Sequence, residues 1–312
     1  MEPLVGIVMV NWNRADDTLA CLESIRRMDY HNVRVTLIDN GSTDGSAEVL
    51  GRIPDIDFVP AGENLGIARA NNIGIRRALD AGAAYILLLN NDTVVQREML
   101  TRLVHACQRD PRVGIVGPAM YYYDAPTTLW FAGGRILRWR GDTAHVGMHE
   151  PDHGQYAGTR QTDYITSCAL LARREVFDEV GLIDPAYFIY FDETDLCVRA
   201  RRAGWKILFV PEARLWHRIS STMGSGSARY WHHYTRSRLI FIRKHASPAE
   251  KASALAYVAL VDTPRLLAHF LRRRKTDCIG PFLRGIGQGL TARLEPAAPA
   301  APAALEDSWP RS

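Results

Sequence analysis

The sequence predicts an α/β protein built on a mostly parallel, doubly wound sheet. Three observations lead to this fold class. Apolar runs over 5–10, 33–38 and 85–89 are typical of strands that are buried on both faces. Helical patterns of about 10–15 residues lie between these runs, and each run ends in a polar stretch. Strands and helices that alternate in this way form parallel sheets with right-handed crossovers.

The elements follow in order from the N-terminus. The first helix is predicted over 16–28, with Asp16 or Asp17 as its N-cap. A region rich in Gly, Trp, Tyr and His, over 121–164, indicates an inserted hairpin and loops. The other predicted elements are helices over 46–50, 67–81, 174–180 and 193–203, strands over 57–59 and 206–210, and a regular segment over 165–172.

The C-terminal part differs in composition from the rest. From residue 248 the pattern is helical, interrupted by Asp262 and Pro264, and an Ala/Pro-rich stretch begins at 295. We therefore divide the chain into a larger domain with two halves, a helical extension and a disordered tail. These parts cover 1–245 (halves 1–118 and 119–245), 246–294 and 295–312.

Composition limits the class of protein. The 312 residues are 47% hydrophobic and 23% charged, as in ordinary globular proteins, and the net charge of +4 is too small to indicate nucleic acid as a partner. The five cysteines are odd in number and form no CxxC pair, which favours a reducing compartment. The apolar stretch after the N-terminus is too short for a secretory or transmembrane segment. These features predict a cytoplasmic protein.

Polar residues follow three of the apolar runs. Asn11-Trp12-Asn13-Arg14, Asp39-Asn40-Gly41-Ser42 and Asn90-Asn91-Asp92 each begin where a predicted strand ends. Each set alone is also typical of a turn, and we interpret Asn40-Gly41 as one. Ligands of open parallel sheets bind beyond the carboxyl ends of the strands, so the three sets together predict a polar crevice. Neither a GxGxxG nor a P-loop motif is present, but Asp92 is suited to hold a divalent cation that binds diphosphate.

A second cluster of acids lies at 192–195. Asp192, Glu193 and Asp195 follow an aromatic run over 187–191. One interpretation is a helix N-terminus, where Asp192 caps and acids complement the helix dipole. The other is a proton acceptor, because carboxylates beside bulky aromatic groups have raised pKa values.

Histidines give weaker signals. His217 alone is compatible with a structural or a ligand role. His145, His149 and His153 recur at helical spacing, but glycine and proline between them break any helix, so they do not predict a zinc site.

Together these motifs resemble the inverting glycosyltransferases of family 2, which have the GT-A nucleotide-diphospho-sugar fold, and in particular a rhamnosyltransferase-like bacterial branch. The resemblance extends over about 5–245. It implies that 1–118 is the nucleotide-binding half and 119–245 the acceptor-side half. The residues that the resemblance assigns to the nucleotide-sugar donor are Asn11, Trp12, Arg14, Asp39, Gly66, Asn71 and Asn91.

The resemblance also implies the chemistry. Asn90-Asn91-Asp92 stands where the family has a DxD metal motif, so Asp92, with His217, would hold Mg²⁺ or Mn²⁺. The usual Glu-Asp pair is reversed to Asp192-Glu193; by position Glu193 is the catalytic base, with Asp192 as the alternative. The implied reaction moves a sugar from a nucleotide-diphospho-sugar, such as dTDP-rhamnose or a UDP-sugar, to a hydroxyl of a glycan or lipid-linked acceptor. Such a reaction belongs to cell-envelope polysaccharide biosynthesis.

Other interpretations remain at this stage. A catalytically silent nucleotide-sugar-binding module would keep the fold without the reaction. A nucleotidyltransferase would normally have a Gly-rich loop with a basic residue after the first strand, where Asn11-Trp12-Asn13-Arg14 stands. The apolar segment 255–271, followed by four cations at 272–275, predicts either a helix at the inner membrane surface or one that packs on the catalytic domain or a second subunit.

Overall fold

The computed structural model describes residues 2–219 and 226–294. The N-terminal part contains β1 (Val5–Asn11), α1 (Ala15–Arg26), β2 (Val33–Asp39), α2 (Ser46–Leu50), β3 (Asp57–Pro60), α3 (Ile67–Asp80), β4 (Tyr85–Leu89), β5 (Thr93–Val95), α4 (Met99–Gln108) and β6 (Val113–Tyr122). The elements that follow are β7 (Ala125–Phe131), β8 (Gly134–Leu137), β9 (Asp142–His145), β10 (Arg160–Gln161), β11 (Ala169–Arg173), α5 (Arg174–Val180), α6 (Asp192–Arg202) and β12 (Lys206–His217). The C-terminal helices are α7 (Ala228–His245), α8 (Pro248–Tyr257), α9 (Thr263–Arg272) and α10 (Ile279–Thr291).

One ten-stranded sheet organises these elements. Its order is β10-β12-β6-β11-β4-β1-β2-β3, with β5 paired to β12 and β7 paired to β6. Strands β1, β2, β3 and β4 are parallel, as predicted, and the order reverses at β1, which lies between β2 and β4. Strand β11 runs antiparallel between β4 and β6, so the sheet is mixed. The carboxyl ends of β1, β2 and β4 therefore meet at one edge, beside the point where the strand order switches.

Helix α3 packs closely on the sheet because it carries a glycine, Gly74, at the contact. A Cβ at Gly74 would lie 2.3 Å from Cγ1 of Val8 in β1. The strands beneath are almost completely apolar; Ile7, Leu87 and Leu88 are at most 1% exposed. This rigid core fixes the position of the polar strand ends.

Several elements differ from the sequence prediction. Helix α1 begins at Ala15, and the residue at its N-cap position, Arg14, makes no capping hydrogen bond. Asp16 and Asp17 lie in the first turn, where they complement the helix dipole, so the prediction that one of them is the N-cap was wrong. Strand β12 continues past its predicted end at 210 through a bulge between Val210 and Arg214. Helix α4 and strand β6 were not predicted.

The helical region is longer than predicted and packs on the rest of the chain. It begins at Ala228, capped by Ser227, about 20 residues before the predicted start. Asp262 and Pro264 do not interrupt it, because a π-helical turn over Val258–Asp262 joins α8 to α9. Helix α10 approaches α7 so closely that a Cβ at Gly285 would lie 2.5 Å from the His232 carbonyl oxygen. The predicted tail over 295–312 lies outside the described residues.

Candidate active site

A single large cleft opens at the sheet edge where β1, β2 and β4 end. Its volume is about 1240 Å³. The predicted site residues that line it are Trp12, Arg14, Gly66, Asn71, Asn91, Asp92, Asp192, Glu193 and His217. The cleft thus brings together residues that are up to about 200 positions apart in the chain.

Two further predicted residues lie beneath the cleft. Asn11 and Asp39 are almost completely buried at the ends of β1 and β2, where they are register partners. The Asn11 amide donates a hydrogen bond to the Asp39 carboxylate (2.8 Å). The same carboxylate accepts a hydrogen bond from the Ser42 hydroxyl (2.6 Å). Asn11 in turn accepts from Thr18, and the Asn91 amide donates to Thr18 (2.8 Å). This network ties the three strand ends together.

Asp92 and His217 form a pair at one end of the cleft. Strand β5 pairs with the end of β12, and this pairing places Thr93 opposite His217. His217 Nε2 consequently lies 3.0 Å from Asp92 Oδ1, and both residues are buried. Burial alone would lower the pKa of His217, but the neighbouring Cys168 and Asp92 raise it to about 10.

The chemistry of this pair fits a divalent cation. One carboxylate and one imidazole lie together at the cleft wall, and the described residues contain no cluster of three or more His, Cys, Asp or Glu side chains with metal-site geometry. Mg²⁺ commonly takes only one or two protein ligands and fills its other positions from phosphates and water. Asp92 and His217 therefore fit a cation that is bound together with a diphosphate, rather than one held by the protein alone. Coordination by His217 requires that the cation displace the proton that the imidazole, with its pKa of about 10, otherwise keeps.

The acidic pair lies in the same cleft. Tyr190 and Phe191 have positive φ angles (66° and 62°), and this tight turn starts α6 directly at Asp192. Phe191 occupies the N-cap position and makes no side-chain cap, so the interpretation of Asp192 as the N-cap was wrong. Instead, Asp192 is 2% exposed, and its carboxyl hydrogen-bonds with the carboxyl of Glu193.

Burial and mutual repulsion perturb both carboxyls. Burial raises the pKa of Asp192 above its ordinary value. Burial and the charge of Asp192 raise the pKa of Glu193 well above its ordinary value. Two adjacent carboxyls in an apolar site cannot both ionise readily. This is the electrostatic setting of a proton acceptor that works near neutral pH.

A buried ion network holds α6 in place, and sequence reasoning missed it. Asp195 is 0% exposed and contacts Arg199 Nε (2.7 Å), Lys244 Nζ (2.7 Å) and His245 Nε2 (2.6 Å). Burial alone would raise the pKa of Asp195, but the His245 hydrogen bond and the charges of Arg199 and Lys244 hold it well below its usual range. The network joins α6 to α7, so Asp195 positions the acidic pair. The signal in the sequence was the i, i+4 spacing of Asp195 and Arg199.

Gly66, which directly precedes α3, contacts the segment before the acidic pair. Its φ of +80° favours glycine, and a Cβ there would lie 2.6 Å from the Phe188 ring. The next residue, Ile67, donates its N–H to the Phe188 carbonyl (2.7 Å). The start of α3 is thereby fixed against the chain that leads to Asp192.

Three further cleft residues have no motif in the sequence. Trp130, His145 and Tyr164 lie in the region over 121–164 and line the cleft beside Glu193 and His217. Burial lowers the pKa of His145 to about 4, so its imidazole is neutral at pH 7. The aromatic-rich composition of this region was the one available signal.

Comparison with known proteins agrees with this geometry. Residues 6–181 match the family model of glycosyl transferase family 2. The chain is 28% identical over 260 residues to N-acetylglucosaminyl-diphospho-decaprenol L-rhamnosyltransferase of Mycobacterium tuberculosis (strain CDC 1551 / Oshkosh), which covers 78% of this chain and 85% of that protein. It is 25% identical over 280 residues to dTDP-rhamnosyl transferase RfbF of Shigella flexneri, covering 86% of this chain and 90% of that protein.

Solved structures show the same fold. The mannosyltransferase PcManGT from Pyrobaculum calidifontis, in complex with GDP-Man and Mn²⁺, matches with a TM-score of 0.58 at 17% identity over 93% of this chain and 88% of that one. GalNAc-T7 with UDP, GalNAc and Mn²⁺ matches with a TM-score of 0.62 at 17% identity over 77% and 48%. These matches confirm the predicted GT-A fold. The family model covers more than half of the chain, and this protein is therefore a glycosyltransferase that belongs to glycosyl transferase family 2.

Proposed function

We propose that this enzyme transfers a rhamnose-like hexose from a dTDP- or UDP-linked donor to a hydroxyl of a glycan or lipid-linked acceptor, with inversion at the anomeric carbon. The observation that carries the proposal is the Asp192–Glu193 pair, in which Asp192 is buried and Glu193 partly buried, and which shares one cleft with the Asp92–His217 pair. A base and a site for an anionic leaving group are the two parts that a single displacement needs. The two rhamnosyltransferases among the relatives support the choice of sugar.

In the proposed reaction, the acceptor hydroxyl attacks the anomeric carbon as Glu193 takes its proton. The bond from the anomeric carbon to the diphosphate oxygen breaks, and its electron pair leaves with the nucleoside diphosphate. Attack opposite the leaving group inverts the centre, and no protein nucleophile is required. The raised pKa of Glu193 suits this role, because it makes the ionised carboxylate a stronger proton acceptor than an ordinary one.

Asp92 and His217 would hold Mg²⁺ or Mn²⁺ in this proposal. A divalent cation there supplies positive charge that neutralises the diphosphate leaving group. The polar strand ends position the remainder of the donor: Trp12 and Arg14 line the cleft, and Asn11 and Asp39 hold the loops beneath it.

A donor panel tests the proposal. The full chain is assayed with dTDP-rhamnose, UDP-sugars and GDP-sugars and a lipid-linked glycan acceptor, with Mn²⁺, with Mg²⁺ and with a chelator. We expect transfer from the dTDP- or UDP-linked donor, loss of transfer with the chelator, and an inverted anomeric centre in the product by NMR. Donor binding without transfer or hydrolysis would instead favour a silent binding module. Retention of configuration would refute the single displacement.

We also propose that the C-terminal helices lie on an anionic membrane surface, at the cytoplasmic side of the inner membrane. The helix over Pro248–Arg272 is long and apolar enough to cross a membrane, and 22% of its apolar 18-residue window is buried in the protein. However, its Asp262 binds the buried Arg238 (2.7 Å), which fixes one face to the catalytic domain. The outer face exposes Leu260 (77%) and Leu271 (61%).

Charge supports a lipid surface as the occupant of this face. Four exposed cations, Arg272-Arg273-Arg274-Lys275, follow directly after Leu271. Exposed leucines with adjacent cations match the acyl boundary and headgroups of an anionic bilayer. The five free cysteines, all buried, support a reducing compartment.

Vesicle co-sedimentation tests the membrane proposal. Because α10 packs on α7, point variants are preferable to truncation: Leu260→Asp with Leu271→Asp replaces exposed apolar side chains by carboxylates and leaves the packed side chains in place. We expect the full chain to sediment with phosphatidylglycerol-containing vesicles, the double variant to sediment less, and salt to weaken binding. Val49→Asp, at a similarly exposed site on α2, is the control. Unchanged sedimentation of the double variant would contradict the proposal. So would a wild-type chain that forms a dimer which the double variant dissociates, because the exposed leucines would then be a subunit interface.

A further inference from the structure

The loop that joins β8 to β9 carries an exposed tryptophan. The loop spans residues 138–141, and its Trp139 is 57% exposed, whereas the other tryptophans of the described residues are at least half-buried. Arginines flank it on both sides, Arg138 and Arg140. A large aromatic ring left in water forgoes most of the stabilisation that its burial would give. The loop therefore presents an aromatic ring to the surroundings of the chain.

Buried contacts hold this loop in one position. Arg238, which is buried, donates to the carbonyl oxygens of Arg140 (2.8 Å) and Gly141 (3.0 Å). The same arginine binds Asp262 in the π-helical turn (2.7 Å). Gly141 has a φ of +62°, and a Cβ there would lie 2.2 Å from a side chain of α7, so only glycine lets the loop come this close. The exposure of Trp139 is therefore a property of a fixed turn.

The loop lies on the face of α8 that leads to exposed apolar residues. The Ser253 hydroxyl donates to the Trp139 carbonyl (3.0 Å), and the Trp139 and Tyr257 rings meet edge to face at 5.2 Å. Leu260 (77% exposed) and Val261 (43%) follow Tyr257 within one helical turn. Trp139, Leu260 and Val261 thus form one exposed surface that comes from two separate parts of the chain. We name these three residues the apolar ridge.

The distribution of charge identifies an anionic bilayer as the partner of the apolar ridge. Residues 248–294 contain eight Lys and Arg against three Asp and Glu, a net charge of +5, whereas the whole chain has +4. Two of these acids, Glu250 and Asp262, are themselves paired with arginines (3.9 and 2.7 Å). Tryptophan with adjacent arginines is typical of the headgroup level of a membrane. A second copy of this segment would instead bring like charges together.

The same hairpin also reaches the cleft. Thr143 and His145 of β9 line the cleft, and β9 begins directly after the loop. The strand has four residues at about 3.3 Å each, so its far end lies roughly 13 Å from the loop. A membrane that contacts the loop would therefore hold the cleft close to the lipid headgroups.

We propose that the β8–β9 loop is a second membrane contact of this enzyme, in which Trp139 enters the headgroup region of an anionic bilayer while Arg138 and Arg140 meet lipid phosphates. This inference rests on the membrane proposal above and deepens it. One contact on the C-terminal helices leaves the protein free to tilt, whereas two contacts fix the orientation of the cleft. The acceptor that fits this arrangement is lipid-linked, with its reactive hydroxyl near the bilayer surface.

Vesicle binding and lipid quenching test the loop contact. The full chain, Trp139→Ser and Trp139→Phe are sedimented with vesicles of phosphatidylglycerol and phosphatidylcholine. We expect Trp139→Ser to weaken binding about 4- to 20-fold, as for the exposed half of an aromatic side chain, and Trp139→Phe to keep most of the binding. Brominated acyl chains should quench the fluorescence of the wild type more than that of Trp139→Phe at equal bound fraction. A purely structural role of Trp139 would not give this difference.

A control and the contrary outcomes separate the loop contact from the membrane proposal. Val49→Ser, at a site on α2 that is 47% exposed, should bind as the wild type does, and thermal melting shows that each variant is folded. Binding that Leu260→Asp with Leu271→Asp weakens, but that neither Trp139 variant changes, would overturn the loop contact alone. Equal quenching of wild type and Trp139→Phe would also overturn it. Equal binding to pure phosphatidylcholine would overturn the anionic bilayer, and a dimer that Trp139→Ser dissociates would assign the ridge to a second copy. A wild-type chain that does not sediment with vesicles would refute both proposals.

Discussion

Removing one carboxyl at a time from the Asp192–Glu193 pair should separate proton transfer from electrostatic tuning. Glu193→Gln keeps the shape of the side chain but cannot accept a proton. A general base contributes about 10²–10⁴-fold to rate, so we expect a loss of that size in kcat with little change in donor affinity. Glu175→Gln, on the exposed side of α5, is the matched control and should keep wild-type activity.

Asp192→Asn should act on the pH dependence instead. Glu193 must be deprotonated to work, so the rate rises with pH through its pKa, which burial and the charge of Asp192 hold high. Two charges about 4 Å apart repel by ~1 kcal/mol even in water, and one pKa unit corresponds to about 1.36 kcal/mol. Removing the Asp192 charge should therefore move the acidic limb of the kcat profile to lower pH, by roughly 0.7 units for two carboxylates at that separation.

Stability should change in the opposite sense from activity. A carboxyl whose pKa is raised on folding stabilises the native state below its unfolded pKa, and this contribution is lost as pH rises through the folded pKa. The wild type should therefore lose stability as the pH rises through the raised pKa values of Asp192 and Glu193. The Glu193→Gln and Asp192→Asn variants should both melt at a higher temperature than the wild type near neutral pH.

The transfer assays also identify the base. An active Glu193→Gln beside an inactive but folded Asp192→Asn would assign the base to Asp192. Full activity in both variants would refute a carboxylate base at this pair.

Two other substitutions test the parts around the pair. Asp92→Asn should abolish the stimulation of donor binding by Mn²⁺ or Mg²⁺, measured by titration with and without chelator; unchanged stimulation would contradict the metal assignment. Asp195→Asn leaves Arg199 and Lys244 without their shared carboxylate and should lower the free energy of unfolding in urea by about 3–5 kcal/mol. Because the pKa of Asp195 is lowered on folding, this stabilisation is present above the ordinary carboxyl pKa and is lost as pH falls. A loss that does not depend on pH would argue against the ion network.

The N-terminal part of the sheet was largely predictable from local patterns. Apolar runs specified β1, β2 and β4, since a strand buried on both faces leaves little choice of residue. Parallel strands place their carboxyl ends at one edge, so the polar sets at 39–42 and 90–92 had to converge. The acidic pair was visible because its two carboxylates are adjacent in the sequence.

The tertiary structure decided the rest, because the contacts involved join distant parts of the chain. Asp192 looks like a helix cap locally, but the positive-φ turn at Tyr190 and Phe191 buries it instead. Two partners of Asp195, Lys244 and His245, come from α7, about 50 residues away, and no local pattern announces them. His145 could not be assigned from its spacing, since only the packing of β8 and β9 against the sheet brings it to Trp130 and Tyr164. Sequence periodicity reports which face of an element is buried, whereas the identity of the neighbour across that face depends on how the elements pack.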